Sequence, residues 1–312
     1  MHPAKSVIFF TTTTGAGYGL LFWLAVLAHR GLVGPDFGFG LLAFGIAFTL
    51  VVGGLLSSTL HLGRPERAWR ALSQWRSSWL SREGIAALLT FIPTVLFACF
   101  WLFWHNNSGY VAWLGLFGGV MSLLTVYTTS MIYASLKAIP AWSVGWTVPG
   151  FLVLSLMSGA VLASALAAVG GYGAAALWLV LPTLFFLAFG LVVKLSYWSK
   201  IDRSVSSSAE TATGLGEFGK VRLIESPHDQ PNYLIKEMGF VIARKHRTKL
   251  RRMVVIFAFG LPFLGISIGW FAPDIVVFLT LAALGFCAVG VAMERWLFFA
   301  EAKHVVTLYY DT

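Results

Sequence analysis

Twenty-three residues, 61–83, form the densest cluster of chemistry-capable side chains in this chain: one histidine, two glutamates, three tryptophans and five arginines. They read His61-Leu62-Gly63-Arg64-Pro65-Glu66-Arg67-Ala68-Trp69-Arg70, then Trp75-Arg76-Ser77-Ser78-Trp79-Leu80-Ser81-Arg82-Glu83. His61 closes one apolar run and Glu83 opens the next, so both are expected at one depth. A histidine and a carboxylate at a partly dry boundary can pass protons near neutral pH. Tryptophans supply flat apolar walls. The combination suits an aromatic redox carrier that exchanges protons with its electrons, namely a quinone. It equally suits an amphipathic loop whose arginines bury their stems beside interfacial tryptophans.

Other candidates are few. Lys194, Glu294 and Arg295 lie inside apolar runs, where ionisable groups are costly and default to function. Snorkelling would place Lys194 and Arg295 at the interface. Glu294 snorkels poorly and needs a partner such as Arg295, Lys194 or a loop arginine. Gly214-Leu215-Gly216-Glu217-Phe218-Gly219 matches the dinucleotide fingerprint G-x-G-x-x-G. No hydrophobic strand precedes it and no parallel-sheet unit fits around it, so the glycines are expected to make turns. Cys99 and Cys287 sit in apolar runs and are too few for an iron–sulfur cluster. His29 and His105 could meet near one face, but each ends an apolar run, where an exposed histidine needs no haem.

The elements that must position these residues follow from composition. Of 312 residues, 58% are hydrophobic and 11% charged. Soluble domains carry roughly 25% charged residues, and a mean hydropathy of +0.79 excludes the ordinary soluble and disordered classes. Apolar segments of about 20 residues span a bilayer as helices. Eight can be drawn, at roughly 6–28, 38–61, 84–104, 111–134, 148–169, 174–197, 253–271 and 275–298, giving a single membrane domain over 1–312. The fold class is therefore an all-α integral membrane protein, a bundle of eight transmembrane helices. The first segment lacks a small-residue cleavage site and is read as a retained span.

The net charge of +9 is one-sided. Arg64, Arg67, Arg70, Arg76 and Arg82 fall between spans two and three, Lys137 between four and five, eleven Lys and Arg residues between six and seven, and Lys5 and Lys303 on the tails. Arg30 alone falls opposite. That bias places both termini and the large loops in the cytoplasm. Trp101, Trp104, Trp113 and Trp270 would form one interfacial belt, and Trp142, Trp146, Trp198 and Trp296 the other. The long 199–252 loop ends in Arg244-Lys245-His246-Arg247, a run suited to anionic lipid or to a partner subunit, and not to nucleic acid.

Several motifs resemble a known family. His61-Leu62-Gly63-Arg64-Pro65, Arg67-Ala68, and Leu80-Ser81 with Glu83 look like the signature of the dimethyl sulfoxide reductase membrane anchor family, the DmsC type. The opening Met1-His2-Pro3-Ala4, with Ser6 to Thr12 and Gly15 to Leu20, resembles that family's N-terminus. The resemblance implies a subunit that anchors a molybdopterin catalytic subunit and a ferredoxin-like iron–sulfur subunit in the bacterial cytoplasmic membrane. It implies a quinone site, ubiquinone or menaquinone, from which electrons pass to the clusters or the reverse, and no haem. Molybdopterin and clusters would belong to the partners only.

Carried over residue by residue, the family's quinone histidine is His61, its glycine and arginine are Gly63 and Arg67, its following aromatic is Trp69, and its glutamate is Glu83. Arg64, Trp75 and Trp79 join the expected quinone site as neighbours. Arg70, Arg76, Arg82, Arg222 and Lys236 are expected to dock partners. The segment 74–79 is richer in tryptophan and arginine than expected of the reductases. The loop sequence Lys220-Val221-Arg222-Leu223 and Asn232 to Phe240, with the cytoplasmic face of His61, looks more like the anchor of the cytoplasmic sulfite-oxidising molybdoenzyme, the SoeC type. Sulfite oxidation feeding the quinone pool is the expected reaction, with a quinol-oxidising anchor of anaerobic sulfoxide respiration as the alternative. A transporter is disfavoured by the lack of an internal repeat and of mid-span charges. A purely structural anchor without a redox site is the remaining reading.

Overall fold

The computed structural model describes residues 4–59, 64–203, 208–222, 224–225 and 245–309. Eight of its helices are long and apolar enough to cross a membrane. They are α1 (Lys5–His29), α2 (Phe37–Thr59), α3 (Trp79–Phe103), α4 (Tyr110–Ala134), α5 (Thr147–Val169), α6 (Gly173–Arg203), α7 (Arg247–Phe271) and α8 (Val276–Ala300). A 3₁₀ helix, Pro65–Gln74, packs against α3 before that helix begins.

Helix ends follow local rules. Gly31 and Gly171 take positive φ, 65° and 74°, after α1 and α5, where a left-handed residue ends a helix without the Cβ penalty. Asp36 Oδ1 accepts from the Phe39 amide at 2.6 Å and closes the start of α2. Pro273 opens the single 3₁₀ turn that reverses the chain between α7 and α8. Inside α7 the residues Val255–Gly260 form a π-helical stretch, which one inserted residue produces and which recurs near functional sites.

α5 is the most enclosed helix, and α1 lies along it, also touching α2 and α4. α6 covers the other side of α5, and α7 and α8 pack together against that pair. Lipid gives no hydrophobic drive between helices, so close backbone approach and dispersion hold them. Gly19 of α1 and Gly159 of α5 meet backbone to backbone: a Cβ on Gly19 would strike the Ser155 carbonyl, and one on Gly159 would strike Gly19 itself. Gly290 of α8 abuts Ala258 in the π-helical stretch of α7 in the same way.

The start of α1, the ends of α2, α4 and α8, and the start of α3 gather at one end of the bundle. The chain after α8 returns to that end, where the Val305 amide donates to the Ala138 carbonyl at 3.0 Å.

The two expected tryptophan belts need correction. Trp101 is fully buried and donates to the Asp36 carbonyl at 3.1 Å. Trp142 and Trp198 are also buried, with Trp142 donating to the Phe298 carbonyl at 3.0 Å. Indole N–H groups that find partners inside the protein leave the interface. Trp104, Trp113, Trp146 and Trp270 remain exposed.

Candidate functional site

Glu83 is one turn inside α3, whose first residue is Trp79, and not at its first residue. That turn carries the carboxylate inward, and Glu83 is 5% exposed. Its hydrogen-bond partner is the Thr129 hydroxyl of α4, not an arginine. A buried carboxylate needs such donors, because desolvation penalises its charge. Threonine pairs tie the same two helices deeper down, where the Thr90 and Thr125 hydroxyls lie 2.9 Å apart.

Glu83 faces a cavity of about 520 Å³. Small-molecule sites run from about 300 to 1,000 Å³. The wall is apolar: Val7 and Phe10 of α1, Leu55 of α2, Leu80 of α3, Tyr133 of α4, Trp142 and Phe299, with Ala68, Ala71 and Leu72 from the 3₁₀ helix as one side. Ser58 and Thr59 add hydroxyls at the end of α2. Tyr133 is fixed by Phe151 stacked 5.6 Å away and by Trp142 edge-on at 5.3 Å, so this side is a rigid aromatic surface. A flat ring with a short apolar tail fits such a space, and one carboxylate and a few hydroxyls provide its polar contacts.

Of the residues expected at a quinone site, Glu83 lines this cavity. His61 and Gly63 lie outside the described residues. Thr59, two positions before His61, is part of the wall. Arg64 and Arg67 are exposed, and Trp69 and Trp75 are 67% and 52% exposed beyond the cavity. Arg70 sits over the Trp69 ring at 5.6 Å and Arg76 over the Trp75 ring at 5.4 Å. Trp79 packs edge-on against Tyr127, with Arg82 4.3 Å above its ring. The aromatic wall therefore comes from Phe10, Tyr133, Trp142 and Phe299, none of which the sequence pattern assigned to the site; Trp142 was expected in an interfacial belt. Nothing in the spacing of α4 marks Tyr133; its role depends on the α4–α5 turn folding over it.

Arg82 does not reach Glu83. Its guanidinium bonds the Trp75 and Arg76 carbonyls at 2.9 and 2.7 Å and clamps the turn before α3. The Ser81 hydroxyl donates to the Ala71 carbonyl and fastens the 3₁₀ helix to α3. Among the expected docking residues, Arg70, Arg76 and Arg222 are exposed, Arg82 is half-buried and Lys236 lies outside the described residues.

A second buried polar group lies between α6 and α8. Glu294 is fully buried; it accepts from Lys194 Nζ through Oε1 and from Arg295 Nε at 2.5 Å through Oε2. Neither cation snorkels. Lys194 lies 4.1 Å from the Tyr197 ring, and Arg295 4.1 Å from the Phe151 ring. Aromatic faces stabilise cations most where water is excluded. Outside this group, Arg251 bridges Asp202 and Glu301, tying the end of α6 to the start of α7 and the residue after α8. Burial holds the Glu301 carboxyl above its ordinary value, and the Arg251 guanidinium offsets only part of that rise.

The fingerprint-like glycines make turns. Gly214 and Gly219 have φ of 70° and 135° and bracket a 3₁₀ turn, Gly216–Phe218. Cys287 is buried and Cys99 half-buried, and both are free.

Comparison with known proteins identifies a family. The family model for the DMSO reductase anchor subunit (DmsC) matches residues 1–301. The C subunit of the sulfite dehydrogenase of Allochromatium vinosum is 33% identical over an alignment that covers 100% of this chain and 99% of the relative. Anaerobic dimethyl sulfoxide reductase chain YnfH of Escherichia coli is 29% identical over 120 residues, 36% of this chain and 39% of the relative. No solved structure matches the chain. The chain belongs to the DMSO reductase anchor subunit family.

Proposed function

We propose that this anchor-family member binds a quinone in the cavity at Glu83 and passes electrons to it from the iron–sulfur clusters of a partner subunit, with sulfite as the oxidised substrate. One observation carries the reading: a buried carboxylate opens onto an apolar, aromatic-walled cavity of about 520 Å³ at the end of the bundle where the loops gather. The full-length likeness to the C subunit of a sulfite dehydrogenase supports the choice of substrate.

A bound quinone would supply two-electron, two-proton carrier chemistry. This chain's residues do the rest. Phe10, Tyr133, Trp142 and Phe299 hold a flat ring and exclude water. Glu83 holds a proton at the cavity wall, and His61 is the second proton-carrying group that the family resemblance implies. Thr129 orients the Glu83 carboxylate by donating to Oε1. Arg70, Arg76 and Arg222 offer exposed cations to the acidic surface of an iron–sulfur subunit. The one-sided positive charge supports a cytoplasmic orientation for this face in a bacterial inner membrane.

Purification of the complex tests the reading. Molybdenum and iron should copurify, and sulfite should reduce a quinone analogue in a Glu83-dependent way. A chain that purifies without metal overturns it. Sulfoxide reduction by quinol, with no sulfite activity, would instead support the reductase alternative to which the YnfH likeness points.

A further inference from the structure

We propose that an internal water, held by Thr12 and Arg295 behind the quinone cavity, is the inner proton contact of Glu83 and reaches it through the Thr129 hydroxyl. The proposal deepens the assignment of Glu83 as proton carrier and rests on it.

Three buried side-chain polar atoms lack a hydrogen-bond partner among the described residues, Thr12 Oγ1, Tyr18 Oη and Arg295 Nη1, and two of these residues, Thr12 of α1 and Arg295 of α8, line one space. That space has a volume of about 20 Å³ and is also lined by Thr129, Ser155 and Ser158. A water needs roughly 10–15 Å³ and two to four polar partners. Thr129 supplies the third partner and already bonds Glu83. Ser155 and Ser158 are committed elsewhere, to the Gly15 and Leu154 carbonyls, each at 2.7 Å. Thr12 and Arg295 donate to the water and the water donates to Thr129 Oγ1, while the one Thr129 hydroxyl hydrogen, which could otherwise go to the Thr125 carbonyl 3.0 Å away, goes to Glu83 Oε1. Left dry, an unpaired guanidinium edge and a buried hydroxyl would each carry the cost of desolvation without return.

The arrangement has a direction. Glu83 gains a proton when the Thr129 hydroxyl hydrogen passes to Oε1 and a water hydrogen passes to Thr129 Oγ1. The charge left on the water then lies against the Arg295 guanidinium, which cannot titrate and so acts only by its field. The missing proton is supplied by the Lys194 ammonium, which lines the next small space with Glu294 and Arg295. Trp146 borders both that space and an open groove at Ser199, Lys200 and Arg203, the side from which Lys194 is reprotonated. Glu83 thus has two faces, one to the quinone cavity and one to an internal route that avoids the cavity mouth. Thr12 and Arg295 are positioning residues in this scheme, since neither touches the quinone cavity.

The assembled complex decides the matter with two readouts. Infrared difference spectra of quinone reduction should show a single-water O–H band that shifts in H₂¹⁸O and disappears in Thr12→Val. Quinone-linked turnover per molybdenum should fall ~100-fold in Thr129→Val, with a larger solvent isotope effect, and recover in Thr129→Ser. If Thr129→Val does not assemble, Thr12→Val carries the kinetic test alone, with a smaller fall expected. A water band unchanged in Thr12→Val overturns the proposal. So does parent-like turnover in Thr129→Val, or in Thr12→Val where that variant stands alone, while Glu83→Gln is crippled, and in that case the role of Glu83 stands. Parent-like turnover in Glu83→Gln itself removes the role of Glu83 and this proposal with it.

Discussion

At the scale of single residues, Glu83 separates a chemical role from a structural one. Glu83→Gln keeps size and most hydrogen bonding while removing the titrating group, and Thr129 can still donate to the amide oxygen. Quinone-linked turnover per molybdenum should fall about 100-fold or more, and its profile between about pH 6 and 9 should flatten, because the amide cannot carry a proton. An unchanged profile with less assembled complex would make Glu83 a helix-pinning residue only. His61→Ala should assemble, stop quinone exchange and keep activity with a soluble electron acceptor; intact quinone turnover would remove His61 from the site. The Lys194–Glu294–Arg295 group calls for a different comparison. Glu294→Gln leaves two buried cations facing a neutral amide, and breaking a buried pair costs about 3–5 kcal/mol. The double change Lys194→Met with Glu294→Gln should recover part of that loss, read as complex yield and thermal stability in detergent. Sequence alone flagged Lys194, Glu294 and Arg295, because charges in apolar runs are conspicuous. It could not flag Thr12 or Thr129, since threonines in membrane helices usually bond the carbonyl one turn back, as Thr11 and Thr14 do here.

At the scale of elements, glycine contacts decide the packing. A leucine at Gly159 would have to displace the α1 backbone at Gly19, and overpacking of this kind costs about 1–3 kcal/mol or more. Gly159→Leu should therefore lower complex yield sharply, whereas Gly15→Ala, with open space around it, should be silent on the same blot. Equal yields would mean that the α1–α5 crossing tolerates separation. The long helices were legible because each holds some twenty apolar residues in a row. Their packing partners were not, because a helix that is hydrophobic all round shows no periodic stripe to say which face turns inward. The same ambiguity explains Trp101 and Trp142: helix ends predict an interfacial indole, and only tertiary contacts show that Asp36 and Phe298 carbonyls receive these two. The cavity wall was hidden for that reason as well. It draws on α1, α2, α3, α4 and the 142 and 299 positions, which no local pattern connects.

At the scale of the whole molecule, the charge asymmetry is a statement about topology. Reporters placed after Thr312 and near Ser207 should both read as cytoplasmic, and a periplasmic signal at either would move the catalytic partners to the other side of the membrane and favour the sulfoxide reductase. The crossing of α1 with α5 bears on how the chain is made. Gly19 and Gly159 are 140 positions apart in sequence. A ribosome adding ~5–20 residues per second needs roughly 7–30 s to bring out the second after the first. For that interval α1 stands in the bilayer, or beside the insertion machinery, without the surface that finally covers its small and hydroxyl-bearing side. It is also the least apolar of the eight helices, with a mean hydropathy of 1.3. The first of these eight spans to be synthesised is therefore the one least suited to lipid by itself, and ribosome pausing or a membrane chaperone that lengthens or shelters this wait should control how much of the protein reaches its finished form.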